Sequence, residues 1–256
     1  MNMLEIRKVS KIYEGKVSCQ ALKNIDFVVP KGQFVGVMGP SGSGKTTMLN
    51  VISTIDHPTA GQVFINGKEP HRLPPEPLAV FRRRELGFVF QDFNLLHTLT
   101  VRENIFLPLA LDGVPVGKMK RRLERIAPLL GIADILDKRT YEISGGQAQR
   151  AAIARAIIHE PALLLADEPT GNLDTKSSRD VMELFRRVNR ELGTTILMVT
   201  HDPAAASFCD RVIFIRDGSV YHEIYCGEHR RNFYGAIMDV LSFMGGDARD
   251  LPAVRD

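Results

Sequence analysis

One nine-residue stretch, "GPSGSGKTT" (Gly39–Thr47), constrains this 256-residue chain more than any other. It fits the pattern G-x-x-x-x-G-K-[ST], and it sits between the apolar run "FVGVM" and the helix start "TTMLNVIS". Gly39, Gly42 and Gly44, with Pro40, Ser41 and Ser43 between them, let the backbone curl so that successive N–H groups point inward at phosphate oxygens. Lys45 can then reach the β- and γ-phosphates. The Thr46 hydroxyl, with Thr47 beside it, can ligate Mg²⁺. Such a loop hangs between a strand and a helix, which points to an α/β fold.

A phosphate loop needs a carboxylate on a neighbouring strand, and "LLLADEPT" supplies Asp167 and Glu168 at the end of an apolar run. Ligands of open α/β sheets bind at such strand ends. Asp167 suits the magnesium shell, and Glu168 suits the orientation or deprotonation of an attacking water. Further strands are expected at "LEIRKVSKIY", "IDFVVPKGQFVGVMG", "QVFINGKE", 194–200 and 211–218, with Pro30-Lys31-Gly32 and Asn66-Gly67 as turns. From residue 92 to 160 the period is helical. Apolar strands alternating with helices indicate a parallel sheet covered on both faces.

The stretch "YEISGGQAQR" admits two readings. Ser144 can cap the following helix with Gln147 as reciprocal partner, a capping box. Gly145 and Gly146 also let an anion approach the free N–H groups of that helix start. Composition narrows the classes. A net charge of +3 gives no argument for nucleic acid, and the Arg82–Arg84 and Lys118–Arg122 clusters read as solvated faces. Three scattered cysteines match neither a disulfide framework nor a metal site and suggest a reducing compartment. No apolar stretch approaches the roughly 18 residues of a membrane helix, and no signal-peptide pattern is evident.

Taken in order, Tyr13, the Gly39–Thr47 loop, Gln91 in "FVFQDFNLL", Ser144–Gln147, "LLLADEPT", "GNLD" and His201 in "VTHD" resemble the ABC-type ATPases over nearly the whole chain. The resemblance implies a P-loop NTPase core with a mostly parallel sheet, an N-terminal antiparallel β part and an inserted helical subdomain. Its divisions would be a core at 1–91 and 161–228, a helical signature subdomain at 92–160 and a C-terminal helical extension at 229–256. It implies ATP and Mg²⁺ as cofactors, with Tyr13 stacking on adenine, Gln91 touching Mg²⁺ and water, and His201 holding the γ-phosphate. Two copies would pair head to tail, so that Ser144 and Gly146 contact the phosphate held by the partner, with Asp174 at the contact. Ile143 stands where the family usually has Leu, and Ala148 where it often has a polar residue. Charge-assisted bonds of about 1.5–3 kcal/mol each converge on the phosphates, against roughly 1–3 kcal/mol for one sequence-tolerant stack, so triphosphate should dominate base identity.

Within that family "ADEPTGNLD" and "VFQDFNLLHTLTVRENIFLPL" resemble the lipoprotein-releasing and macrolide-efflux branch. "VISTIDHPTAGQVFING", "EISGGQ", "HDPAAASFCDRVIFIRDG" and the C-terminal extension are more similar to the bacitracin-resistance (Bce-type) subunits. The implied partners are an integral membrane permease and a second copy of the chain, not nucleic acid. The implied place is the cytoplasmic face of the membrane, held through the permease. Gln91–Leu111, with Phe93 and Leu96 expected to be exposed, would be the docking region. A DNA-repair ATPase would need a long coiled-coil insertion, a ribosomal one usually two units per chain, and an unrelated kinase or GTPase would leave "ISGGQ" and "VTHD" unexplained. Phe233, Ala236, Ile237, Val240, Leu241 and Met244 form one apolar helical stripe that Gly245-Gly246 can end, facing either its own domain or a partner.

Overall fold

In a computed structural model that describes residues 1–15, 17–227 and 230–245, the chain opens with two twelve-residue strands, β1 (Asn2–Tyr13) and β2 (Cys19–Pro30), paired antiparallel. The Pro30-Lys31-Gly32 turn, with Gly32 at positive φ, leads into β3 (Phe34–Met38), every residue of which is buried. The phosphate loop and α1 (Lys45–Ile52) follow. Strand β4 (Ala60–Ile65) then pairs antiparallel with β1 and completes a three-stranded sheet ordered β2-β1-β4. Asn66 and Gly67 both take positive φ, as a tight hairpin-type turn requires.

Two elements that come next have no counterpart in the sequence reading: α2 (Pro75–Glu85) and β5 (Leu86–Val89). Helix α2 buries only Leu78 and Phe81 and has three arginines in its last turn, so its apolar period is too sparse to read; β5 is four residues long. The arginine cluster is only partly the solvated face expected: Arg84 is exposed, and Arg82 and Arg83 are half-buried. Arg83 and Arg84 close on Asp112 at 2.5 and 2.7 Å, and Arg82 donates to the Thr54 carbonyl at 3.0 Å. Asp112 is brought there because it follows α3 (Val101–Leu111), which returns beside α2. Helix α3 starts on a Thr100–Glu103 capping box. Helices α4 (Val116–Leu130) and α5 (Gly145–Ile157) complete the helical stretch.

The chain then alternates through β6 (Leu163–Asp167), α6 (Thr175–Leu192), β7 (Thr195–Val199), the short α7 (Pro203–Ala206), β8 (Arg211–Arg216), β9 (Ser219–Tyr225) and α8 (Arg230–Gly245). The second sheet has the order β5-β6-β7-β3-β8-β9, parallel except for β9. Its central strands are mostly apolar, with polar residues only at their ends, because both faces are covered. One core lies between this sheet, α1 and the antiparallel sheet; the other packs it against α3–α6 and α8. Among the described residues no helix is long and apolar enough to cross a membrane.

Helix α8 packs on its own chain. Phe233, Ile237 and Met244 are buried in the second core, with Val240 and Leu241 half-buried beside them. Gly246, expected to help end this helix, lies outside the described residues. Arg230 anchors the helix start: its guanidinium donates to the carbonyls of Ser207 and Phe208 at 3.1 and 2.7 Å and to Asp210 at 3.3 Å. These bonds satisfy the end of α7. Arg230→Ala should therefore cost about 2 kcal/mol, read as a fall in Tm of about 4–8 °C by circular dichroism. An unchanged Tm would show that apolar packing alone holds the helix.

Candidate functional site

The pairings Val37↔Val199, Asp167↔Val199 and Met38↔Phe214 bring the carboxyl ends of β3, β6, β7 and β8 to one edge of the parallel sheet. The segments leaving those ends gather there and enclose a cavity of about 930 Å³. All of Gly39–Thr47 except Ser43 line it, together with Glu168 and His201.

The loop's glycines are required by close approach. A Cβ on Gly39 would lie 2.1 Å from the Ile215 carbonyl oxygen, and one on Gly44, at φ +101°, 2.5 Å from that of Ala21. Gly42 also takes positive φ, where only glycine is unstrained. The Lys45 ammonium donates to the carbonyls of Gly39 and Pro40 at 2.8 and 2.9 Å. Burial pushes its pKa down, and the charges of Glu168 and Asp167 oppose that shift. The Ser43 hydroxyl is buried without a partner inside the loop.

Asp167 ends β6 half-buried. Burial pushes its carboxyl up, Glu168 adds to the rise and Lys45 opposes it. Glu168 is at φ +45°, an unusual backbone state for a side chain of this size. It is held there on both sides, since its N–H donates to the Val199 carbonyl at 2.9 Å and its own carbonyl accepts from Gly171 at 3.0 Å. Its carboxylate accepts from the His201 backbone N–H at 3.2 Å and pairs with the His201 imidazole at 2.9 Å. The carboxylate and imidazole are thus aimed into the cavity as a hydrogen-bonded unit.

Other expected residues lie around this centre. Tyr13 is 41% exposed, and its hydroxyl donates to Asp56 at 2.8 Å within reach of Thr47, which places it beside the start of α1. Gln91 does not line the cavity; its amide donates to Asn172 at 3.0 Å, and its side chain lies over Gly171. Ser144 and Gln147 make the expected capping box. They and the two glycines lie away from their own phosphate loop. A Cβ on Gly145 would touch Leu173 and Phe93, and one on Gly146 would press on Ser177 at 3.2 Å. Asp174 caps α6, accepting from the N–H groups of Lys176 and Ser177 at 3.0 Å.

Three connecting residues escaped the sequence reading. Gln149 is fully buried on α5 and donates to the Pro169 carbonyl at 2.5 Å, tying the signature helix to the loop after Glu168. A glutamine on the buried period of "AQRAAIARAI" is the signal that could have revealed it. Arg155 donates to the Phe93 carbonyl at 2.8 Å and also binds that of Asn94; Phe93 and Asn94 are both at positive φ. Asn172 links back to Asp92 at 2.6 Å.

The donor set fits a magnesium nucleotide. Mg²⁺ is commonly held by one or two protein oxygens plus phosphates, and Thr46 and Asp167 offer a hydroxyl and a carboxylate. The tight curve of the loop requires glycine at 39 and 44, where a Cβ would meet backbone, and Lys45 supplies a cation within it. Glu168 has the geometry to hold a water's proton.

The ABC transporter family model matches residues 22–171. The chain is 60% identical to the ABC transporter ATP-binding protein YxdL of Bacillus subtilis over 254 residues, 99% of each chain. It is 50% identical to the bacitracin export ATP-binding protein BceA of Halalkalibacterium halodurans over 98% of this chain and all of that one. Among solved structures, a dimeric post-hydrolysis state of the ATP-binding cassette MJ0796, bound to ADP and Pi, superposes with a TM-score of 0.79. That match has 38% identity and covers 89% of this chain and all of the other. The site on the edge of the parallel sheet and these full-length likenesses agree: the chain belongs to the ABC transporter ATP-binding family, whose domains are ATPases that power transport.

Proposed function

We infer that this ATPase drives a membrane permease that removes or exports peptide antibiotics of the bacitracin class. The observation that carries this reading is the 50% identity to the bacitracin export ATP-binding protein, which extends over 98% of this chain and so takes in α8. Thr46 and Asp167, with Gln91, are the residues that would hold Mg²⁺, and a bound ion would supply neutralisation of phosphate charge. Gly39–Thr47 wrap the triphosphate, Tyr13 stacks on adenine, Glu168 orients the water and His201 steadies the γ-phosphate. Glu168→Gln should retain Mg-ATP binding and lose hydrolysis by roughly 10²–10⁴-fold. A host lacking this chain should become sensitive to bacitracin and recover with the wild type but not with Glu168→Gln. Unchanged sensitivity, with ATP hydrolysis intact, would point instead to lipoprotein release or macrolide efflux.

The capping and anion-binding readings of Ser144–Gln147 are compatible, because a capped helix still has free N–H groups. Two copies pair head to tail, so that these residues and Asp174 complete the partner's site. Their distance from their own phosphate loop and the dimeric cassette of similar fold support this arrangement. Chains carrying Lys45→Ala and chains carrying Ser144→Arg, each also with Glu168→Gln, should fail to dimerise alone with Mg-ATP. Mixed, they should recover part of the dimer in size-exclusion light scattering, because one site is then whole. Full dimerisation by the Ser144→Arg chain alone would leave the stretch a helix cap only.

The permease docks on the 91–111 region. Leu96 is exposed there as expected, but Phe93 is half-buried beside Gly145, so changing it would disturb the signature as well. A groove of about 480 Å³ lined by Phe88, Phe90, Leu107 and Leu111 offers a cleaner target. Leu111 is 64% exposed. Leu111→Asp should leave nucleotide affinity unchanged and reduce co-purification of the permease; undiminished recovery would move the docking surface elsewhere.

A further inference from the structure

Helix α8 has a second flank that its packing covers only in part. Tyr234, Met238, the half-buried Leu241 and Gly245 recur at i, i+4, i+7 and i+11, to one side of the buried Phe233–Ile237–Met244 stripe. Tyr234 and Met238 are 44% and 39% exposed. This flank runs along the catalytic face. Its far end, at Leu241 and Gly245, borders the phosphate-loop cavity, and Tyr234 borders a neighbouring cavity of about 820 Å³ between α6 and α7. Both cavities share Glu168 and His201 as walls.

The order of features across this face decides what covers the flank. Gly145 and Gly146 lie beside Leu173 and Ser177. Leu173 also lines the second cavity, which meets His201, and beyond His201 comes the phosphate loop. In a head-to-tail pair related by a two-fold axis, signature and phosphate loop exchange places, so the middle of the face meets its own copy. The middle is the second cavity, which Tyr234 borders, and the α8 flank runs from there toward the phosphate-loop cavity. The proposed permease groove, by contrast, is built from α2, β5 and α3.

We propose that the Tyr234–Met238–Leu241 flank of α8 is an interface with a second copy of this chain, closing against the middle of the partner's catalytic face when ATP brings the copies together. It rests on the head-to-tail reading and adds to it an apolar contact that involves no nucleotide. The C-terminal helix thereby joins the closure of the motor and does more than cover its own core. Phe243, 74% exposed, projects from the opposite flank and takes no part.

The test uses the full chain with Glu168→Gln, so that Mg-ATP dimers persist. Met238→Asp should raise the concentration for half-dimerisation about tenfold, the scale of losing one well-packed contact. Nucleotide affinity of the monomer should not change, and Phe243→Asp should dimerise as the background does. Hydrogen exchange across 234–241 should slow on adding Mg-ATP, and should not slow when Ser144→Arg is also present. If Met238→Asp dimerises at the background concentration, or if the flank gains no protection while Ser144→Arg still abolishes the dimer, the flank is not an interface and the head-to-tail reading stands. If Ser144→Arg dimerises normally, both fall together.

Discussion

Three backbone segments meet around the phosphate loop more closely than any side chain allows, and the placement of the two sheets follows from that meeting. Cβ atoms on Gly39, Gly44 and Gly218 would lie 2.1, 2.5 and 2.7 Å from the carbonyl oxygens of Ile215, Ala21 and Ala21 respectively. The Gly218 N–H donates to the Ser43 carbonyl at 3.1 Å, and the Gly218 carbonyl accepts from Lys23 at 2.7 Å. Strand β2 belongs to the antiparallel sheet, and Gly218 to the turn between β8 and β9. The antiparallel sheet is thus stitched to the parallel one at the loop itself. Helix α8, which follows β9 in the chain, is carried to the edge of the same cavity.

On the other side of the cavity the constraint is strain. A non-glycine residue held at positive φ costs on the order of 1–3 kcal/mol and persists only where its surroundings over-determine it. Glu168 meets that condition through Val199, Gly171 and two bonds from His201. The loop that follows is tied to the signature helix by Gln149 and to the segment after β5 by the Gln91–Asn172 bond. Short, bonded links therefore join the loop after Glu168 to the signature helix and to the segment after β5. None of these links requires an element to unfold.

The sequence made legible whatever rests on local chemistry. The phosphate loop, the Asp167–Glu168 strand end and the Ser144–Gln147 box each depend on neighbouring residues and appear as read. The α8 stripe was legible as a pattern, though its choice of partner was not, because periodicity gives a buried face without naming what buries it. Helix α2 and strand β5 were hidden by arginines whose partner, Asp112, is 28 and 29 residues distant along the chain. The turning of Gln91 toward Asn172, across 81 residues, had no local signal at all. Long-range polar contacts of this kind are decided by topology, which patterning reveals only coarsely.

The proposed head-to-tail pair gives hydrolysis a way to reopen it. In the proposed dimer each signature reaches the phosphate of the opposite chain through a few charge-assisted hydrogen bonds, each contributing about 1.5–3 kcal/mol. Loss of two such bonds when the γ-phosphate leaves weakens closure by about 10²–10⁴-fold. An apolar contact along α8 is untouched by that loss, so it cannot time the cycle and can only set its baseline. In that pair the timing would belong to Glu168 and His201, which two hydrogen bonds join at the cavity wall. A motor built this way keeps most of its closing affinity, and its switch, in the phosphate, and packing along α8 supplies the smaller remainder.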